Sequence, residues 1–132
     1  MDYLTKIRGQ HHVNMHPYDR APRQLISALK RNEMTAFLID FGVTHHFDMH
    51  TVPVKLFDAE TDFPTGPAQL AMLTGAAILV GHTHFDATGH IDIHSNPPIV
   101  LDRTGDRQHD IQVAMQRIAG LMEDFIRLYP EQ

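Results

Sequence analysis

Apolar side chains at Ile111, Met115, Ile118, Met122, Phe125, Ile126 and Tyr129 recur with a 3.6-residue period. This predicts an amphipathic helix over the last part of the chain, with these residues as its core face. Leu25, Ile26 and Leu29 show the same spacing behind Pro22 and predict a shorter helix over Pro22 to Arg31. A third helix is bracketed by Thr65-Gly66-Pro67 and Gly75, with proline near its first turn and glycine at its C-terminal cap. Between the helices lie runs that read as strands. "QHHVNM" is a short possible strand, and "TVPVKLFD" is another, in which Pro53 favours an edge or a bulge. "MTAFLID", ending at Asp40, and "AAILVG" are nearly continuous apolar runs and predict strands covered on both faces. "HTHFDATGHIDIH" predicts a hairpin turning near Ala87-Thr88-Gly89. The resulting order, β-α-β-β-α-β-β-α, implies an α/β fold with a mixed, mostly parallel sheet and helices packed on it.

With 132 residues, 42% apolar and 20% charged, the chain has the length and composition of one folded domain. The formal charge of -5 argues against a nucleic-acid partner, which would select a basic surface. Absence of cysteine excludes a disulfide framework and thiolate zinc sites, and it fits a reducing compartment. No apolar run approaches the roughly 18 residues of a membrane span, and "MDYLTKIRGQ" lacks the apolar core of a signal peptide.

Histidine is the compositional exception, with eleven residues spread along the chain. If the hairpin turns at Ala87-Thr88, His84 lies opposite His90 and His82 opposite Asp92. His82, His84, His90, Asp92 and His94 then share a face, because side chains alternate along strands. Imidazole and carboxylate in such a group suit zinc, nickel, copper or iron(II); a polar hairpin face in water gives the same pattern. His45, His46 and His50 fall in a polar loop with no defined geometry.

Several blocks carry a family resemblance. "DRAPRQLISALKRNEMTAFLID", "VPVKLF", "FPTGPAQLAMLTGAAILVG", "HIDIHSNPPI" and "LMEDFIRLYPEQ" are similar, in order, to blocks of the bacterial lipid A biosynthesis (lauroyl/myristoyl) acyltransferases, in the lysophospholipid-acyltransferase-like superfamily. Gly81 departs from the pattern, which commonly has proline there. The resemblance implies a fatty acyl group passed from an acyl thioester, acyl-ACP or acyl-CoA, to a hydroxyl of a lipid or glycolipid precursor, at the cytoplasmic face of the inner membrane. The family's base is a histidine in a His-x4-Asp/Glu dyad, its imidazole oriented by the acid. None of the eleven histidines here has an acid five positions on. Residues 1–132 therefore resemble the C-terminal part of a single acyltransferase-like domain, with no catalytic residue in this chain. The base, the orienting acid and the membrane anchor are expected in the missing portion, and this chain alone is expected to be soluble and inactive.

The resemblance assigns substrate binding to Arg8, Asp40, Thr65 and Gly66. A guanidinium at Arg8 can hold phosphate or carboxylate bidentately, although a solvated arginine would look the same. Asp40 ends its strand where ligands bind in such sheets; it also suits a plain turn. Gly66 would let backbone N–H groups at a helix start approach a ligand, while Thr65 would cap that helix. Half a sheet also leaves an open edge, so self-association is expected. A scaffold or ligand-binding module completed by a partner is the remaining alternative.

Overall fold

The computed structural model describes residues 3–16, 21–39 and 50–131. They fall into two units, Met1–Thr35 and Ala36–Gln132, each described by itself. The first holds helices α1 (Tyr3–Gln10) and α2 (Ala21–Lys30). α2 matches the predicted helix and buries Ala28. The short strand expected in "QHHVNM" is not formed, because its backbone closes the end of α1. His11 and Val13 donate their N–H groups to the Arg8 carbonyl at 3.1 and 2.9 Å, and His12 donates to Gly9 at 3.2 Å. His12 takes a left-handed φ of 59° to make this turn.

The second unit contains β1 (Thr51–Leu56), β2 (Ala59–Pro64), α3 (Gly66–Thr74), β3 (Gly81–Phe85), β4 (Ile91–Ser95) and α4 (Arg107–Leu128). The class is mixed α/β, but the expected mostly parallel sheet is not observed. Among the described residues the strands form two antiparallel pairs, β1 with β2 and β3 with β4. Parallel strands need a long crossover between them, whereas these pairs are joined by short turns. Phe57 and Asp58 form the first turn with φ of 50° and 61°, the left-handed pair of a type I′ hairpin. Neither residue is the glycine or asparagine that adopts this conformation cheaply, and the strand it introduces, "AETDFP", carries little β-propensity.

The two apolar runs also differ from expectation. Residues 33–39 form no strand, and Met34 and Leu38 are strongly exposed. In "AAILVG" Gly81 opens β3 opposite Ser95, and before it only Ile78 pairs, in an isolated bridge to Ile99. Even-numbered residues from Ala76 to His84 face inward and odd-numbered ones outward, so one side of this segment is open to solvent. Pro97 and Pro98 explain why the ladder breaks, since neither has an N–H to donate. Three steps from Ile78 to Gly81 face four from Ser95 to Ile99, a one-residue register shift across the prolines.

α4 organises this unit. Its inner face buries Ile111, Ala114, Met115, Ile118 and Ala119, which pack with Val52, Val54, Phe63, Ala68, Val80 and Ile99. The predicted core face at Met115 and Ile118 is thus confirmed. Aspartate 106 starts the helix, its carboxylate accepting the His109 N–H at 3.0 Å. α3 is likewise as predicted at its end: Gly75 has a φ of 78° and donates its N–H to the Ala71 carbonyl at 2.8 Å.

A second set of α4 side chains pairs with the backbone of β1. Gln116 Oε1 accepts the Lys55 N–H at 2.8 Å, and its Nε2 donates to the Lys55 carbonyl at 3.0 Å. One turn earlier Gln112 donates to the Pro53 carbonyl, and further on Glu123 accepts the Phe57 N–H at 2.8 Å. Two residues of strand advance about 6.6 Å and four of helix about 6.0 Å, so residues 112 and 116 keep step with 53 and 55. Pro53 offers only a carbonyl on this edge, which the Gln112 amide suits. Glu123 also holds Arg127 Nη2 at 2.6 Å, and the Arg127 guanidinium lies 5.1 Å from the centre of the Phe57 ring. The strained turn is therefore clamped by the end of α4.

Truncating Ile118, which is fully buried, to alanine is expected to lower stability by about 2–5 kcal/mol. Gln116→Ala, which frees both polar groups of Lys55, is expected to cost about 1–2 kcal/mol. Denaturant unfolding of the two variants checks both values and their order. The Phe57 N–H, followed by Arg127, holds the Glu123 carboxyl below its ordinary value. This stabilisation is present above the unfolded value near 4.3 and is lost as pH falls through the lower folded value. Glu123→Gln keeps an oxygen for Phe57 but no titration. Its unfolding midpoint is expected to vary less than the parent's between about pH 5 and 3.

Candidate functional site

Of the four residues assigned to substrate binding, Thr65 and Gly66 are neighbours at the start of α3, and Arg8 belongs to the other unit. Asp40 lies outside the described residues, as do His45 and His46. Arg8 is in the last turn of α1 in the first unit, exposed, with Nη1 3.4 Å from Met15 Sδ. Thr65 and Gly66 are in the second unit.

At the start of α3, Thr65 is 4% exposed and its polar atoms are already engaged. Its N–H and its hydroxyl both donate to the His50 carbonyl at 2.9 Å. The same hydroxyl accepts from Gln69 Nε2 at 2.8 Å. Thr65 makes no side-chain capping bond to α3, so it ties β1's approach to the helix rather than capping it. Gly66 is different. A Cβ added there would meet only the Phe37 ring at 3.8 Å, an ordinary contact. Packing does not demand glycine at this turn.

The more concentrated chemistry is on the β3–β4 hairpin. The observed register pairs His82 with His94 and His84 with Asp92, two residues away from the predicted one. Asp86 causes the difference by closing a five-residue loop. Its carboxylate accepts the N–H groups of Thr88 and His90 at 2.8 Å and the Thr88 hydroxyl at 2.7 Å, and its N–H donates to the His90 carbonyl at 2.8 Å. His90 is consequently in the loop, with Nδ1 2.7 Å from the Thr88 hydroxyl, and not in the group of facing histidines. Because strand faces repeat every two residues, the two-residue difference leaves His82, His84, Asp92 and His94 on one face.

That face packs on the end of α4. His82 stacks on Phe125 with ring centres 4.4 Å apart and planes 8° apart. His84 stacks on Tyr129 at 3.8 Å and on His94 at 5.2 Å. Ile91 and Ile93 meanwhile point to solvent. The hairpin has buried imidazole and exposed isoleucine, the reverse of the usual pattern. His84 is 8% exposed. Among the described residues, His84 Nδ1 is buried with no hydrogen-bond partner, and His82 Nε2 and Asn96 Oδ1 are buried without a well-formed one. An unmet buried group such as His84 Nδ1 costs about 1–3 kcal/mol. Burial pushes His82 below its ordinary pKa, opposed by the Asn96 side chain and aided by His94. His84 Nε2 stands 3.9 Å from Asp92 Oδ2, beyond hydrogen-bond reach. One ligating atom from each of His84, Asp92 and His94 lies within 4.8 Å of the others.

Two concavities beside α4 are small. One of about 100 Å³ is lined by residues including Leu101, His109, Asp110 and Arg117. Another, of about 220 Å³, touches Met72, Arg103 and Asp110. Both are below the 300–1,000 Å³ usual for a bound organic ligand. Asp110 is buried there, but its carboxylate is occupied by the Thr104 N–H at 3.1 Å and hydroxyl at 2.8 Å.

Comparison with known proteins places these features in a family. A search of curated proteins finds no match. The family model for bacterial lipid A biosynthesis acyltransferase matches residues 2–132, nearly the whole chain and every element described above. The chain belongs to the bacterial lipid A biosynthesis acyltransferase family.

Proposed function

We propose that this chain contributes the acceptor-binding part of an O-acyltransferase that moves a fatty acyl group from an acyl thioester to a hydroxyl of a lipid or glycolipid precursor. The family match over residues 2–132 carries this reading. In the reaction the hydroxyl oxygen bonds to the thioester carbonyl carbon, the carbon–sulfur bond breaks, and the thiol of acyl-ACP or acyl-CoA leaves. A base must take the hydroxyl proton as the new bond forms. No histidine in this sequence has an acid at the fifth position. The base on this reading comes from outside residues 1–132.

Arg8 then serves as an anion clamp for a phosphate or carboxylate of the precursor; no acidic partner occupies its guanidinium among the described residues. On the same reading Gly66 would offer backbone N–H groups at the α3 start, and Asp40 is carried over from the family likeness as a further polar contact. No described helix is long and apolar enough to cross a membrane, so contact with the inner membrane surface is assigned to the portion that carries the base.

Two measurements test this. With a radiolabelled acyl thioester and a phosphorylated glycolipid precursor, the 132-residue chain is expected to show no transfer above the protein-free rate; turnover would overturn the division of labour. Binding of the precursor to the same chain is expected to weaken about tenfold in Arg8→Ala, as for loss of a charge-assisted contact. Equal affinity for precursors with and without phosphate would remove Arg8 from the site.

A further inference from the structure

The β3–β4 hairpin carries a site that acyl transfer does not use. We propose that His84, Asp92 and His94 bind one divalent transition-metal ion of the zinc class, with a coordination position left open to solvent. The site is independent of the acyltransferase reading.

Three observations converge on it. First, the ligating atoms lie within 4.8 Å of one another. A tetrahedral ion with bonds near 2.1 Å needs donors about 3.4 Å apart, so the side chains must draw in by roughly an ångström. Asp92 and His94 are exposed and can turn to do this, while His84 is buried and fixed. Second, the buried ligand is packed, its ring stacked on Tyr129 at 3.8 Å with the His94 ring 5.2 Å away. A ring packed in this way loses little freedom on binding an ion. Third, His84 is more than nine-tenths buried, with Nδ1 unpartnered among the described residues and Nε2 3.9 Å from Asp92 Oδ2. A face that buries histidine beside a carboxylate and exposes Ile91 and Ile93 is the reverse of what apolar packing selects.

The donor set selects the ion. Two imidazoles and one carboxylate favour Zn²⁺, Co²⁺, Ni²⁺ or Cu²⁺ over Ca²⁺ and Mg²⁺, which prefer all-oxygen shells. Three protein ligands leave room for water in the fourth position, the arrangement of a reactive rather than purely structural ion. His82 is left out because the group whose ligand atoms lie within 4.8 Å of one another is His84, Asp92 and His94. His90 is excluded because it lies in the Asp86 loop.

The test uses the tag-free 132-residue chain titrated with Zn²⁺ and Co²⁺, with Ca²⁺ as the control ion. Expected results are one equivalent of Zn²⁺ retained through gel filtration, a visible Co²⁺ spectrum of low coordination number, and a Zn²⁺-dependent rise in melting temperature. His94→Ala and Asp92→Asn, both at exposed positions, are each expected to weaken binding by at least about tenfold and to abolish the melting shift. His90→Ala is expected to change neither. Absence of binding in the parent chain would overturn the site. So would binding that survives His94→Ala and Asp92→Asn together, or binding lost in His90→Ala.

Discussion

Pairing of α4 amides with the outer edge of β1 is the constraint on which the second unit rests. A two-stranded hairpin is marginal on its own, and its outer edge exposes backbone groups that invite another strand. Here the edge is met by Gln112, Gln116 and Glu123. The same helix turns its apolar face onto Val52 and Val54, so one element both covers the hairpin and satisfies its edge. The strained turn at Phe57 and Asp58 survives because the final contacts of this series close over it. Hydrophobic burial supplies most of the stabilisation; the amides fix where along the strand it acts.

The other hairpin is arranged on opposite terms. Its inward face is imidazole and carboxylate, and its cover is the aromatic pair Phe125 and Tyr129. Aromatic stacking keeps these rings in place without satisfying their nitrogens, which leaves buried polar atoms gathered in one spot. Acyltransferase chemistry explains none of this, whereas the cation proposed above at His84, Asp92 and His94 would give the buried imidazole of His84 a role. The two hairpins thus divide the unit into a part fixed for stability and a part that keeps unsatisfied bonding capacity.

Three of the four described helices were legible in the sequence because their signals are local and repetitive; α1 has no such apolar period and was not expected. The period through Ile111 to Tyr129, the Pro22 start and the Gly75 cap each report on a few neighbouring residues, and each is found. Strand pairing was much less legible, because it depends on distant partners. "AETDFP" has no strand-like composition, and its pairing rests on a turn of Phe and Asp held by residues more than sixty positions away. "MTAFLID" has strand-like composition but forms no strand among residues 34–39. Pro97 and Pro98 were visible, but their effect on Ile78 to Val80 required knowing which segments face each other. Of the site, the histidine face was readable from alternation alone; the exact partners were not, because the Asp86 side chain set the loop length. Arg8, Asp40, Thr65 and Gly66 were named through family likeness, and hydrogen bonding to His50 gives Thr65 a structural role that no spacing announces.

One further consequence follows from the helix laid along β1. Successive α-helical residues are rotated by about 100°, while the contacts to Pro53, Lys55 and Phe57 lie in a single row. Gain or loss of one residue between Gln116 and Glu123 would swing everything beyond it a quarter-turn around the axis. Glu123 would leave the hairpin turn, and Phe125 and Tyr129 would leave the histidines together. Length, more than composition, is what this stretch of helix is unable to change, and an error there would reach both hairpins at once.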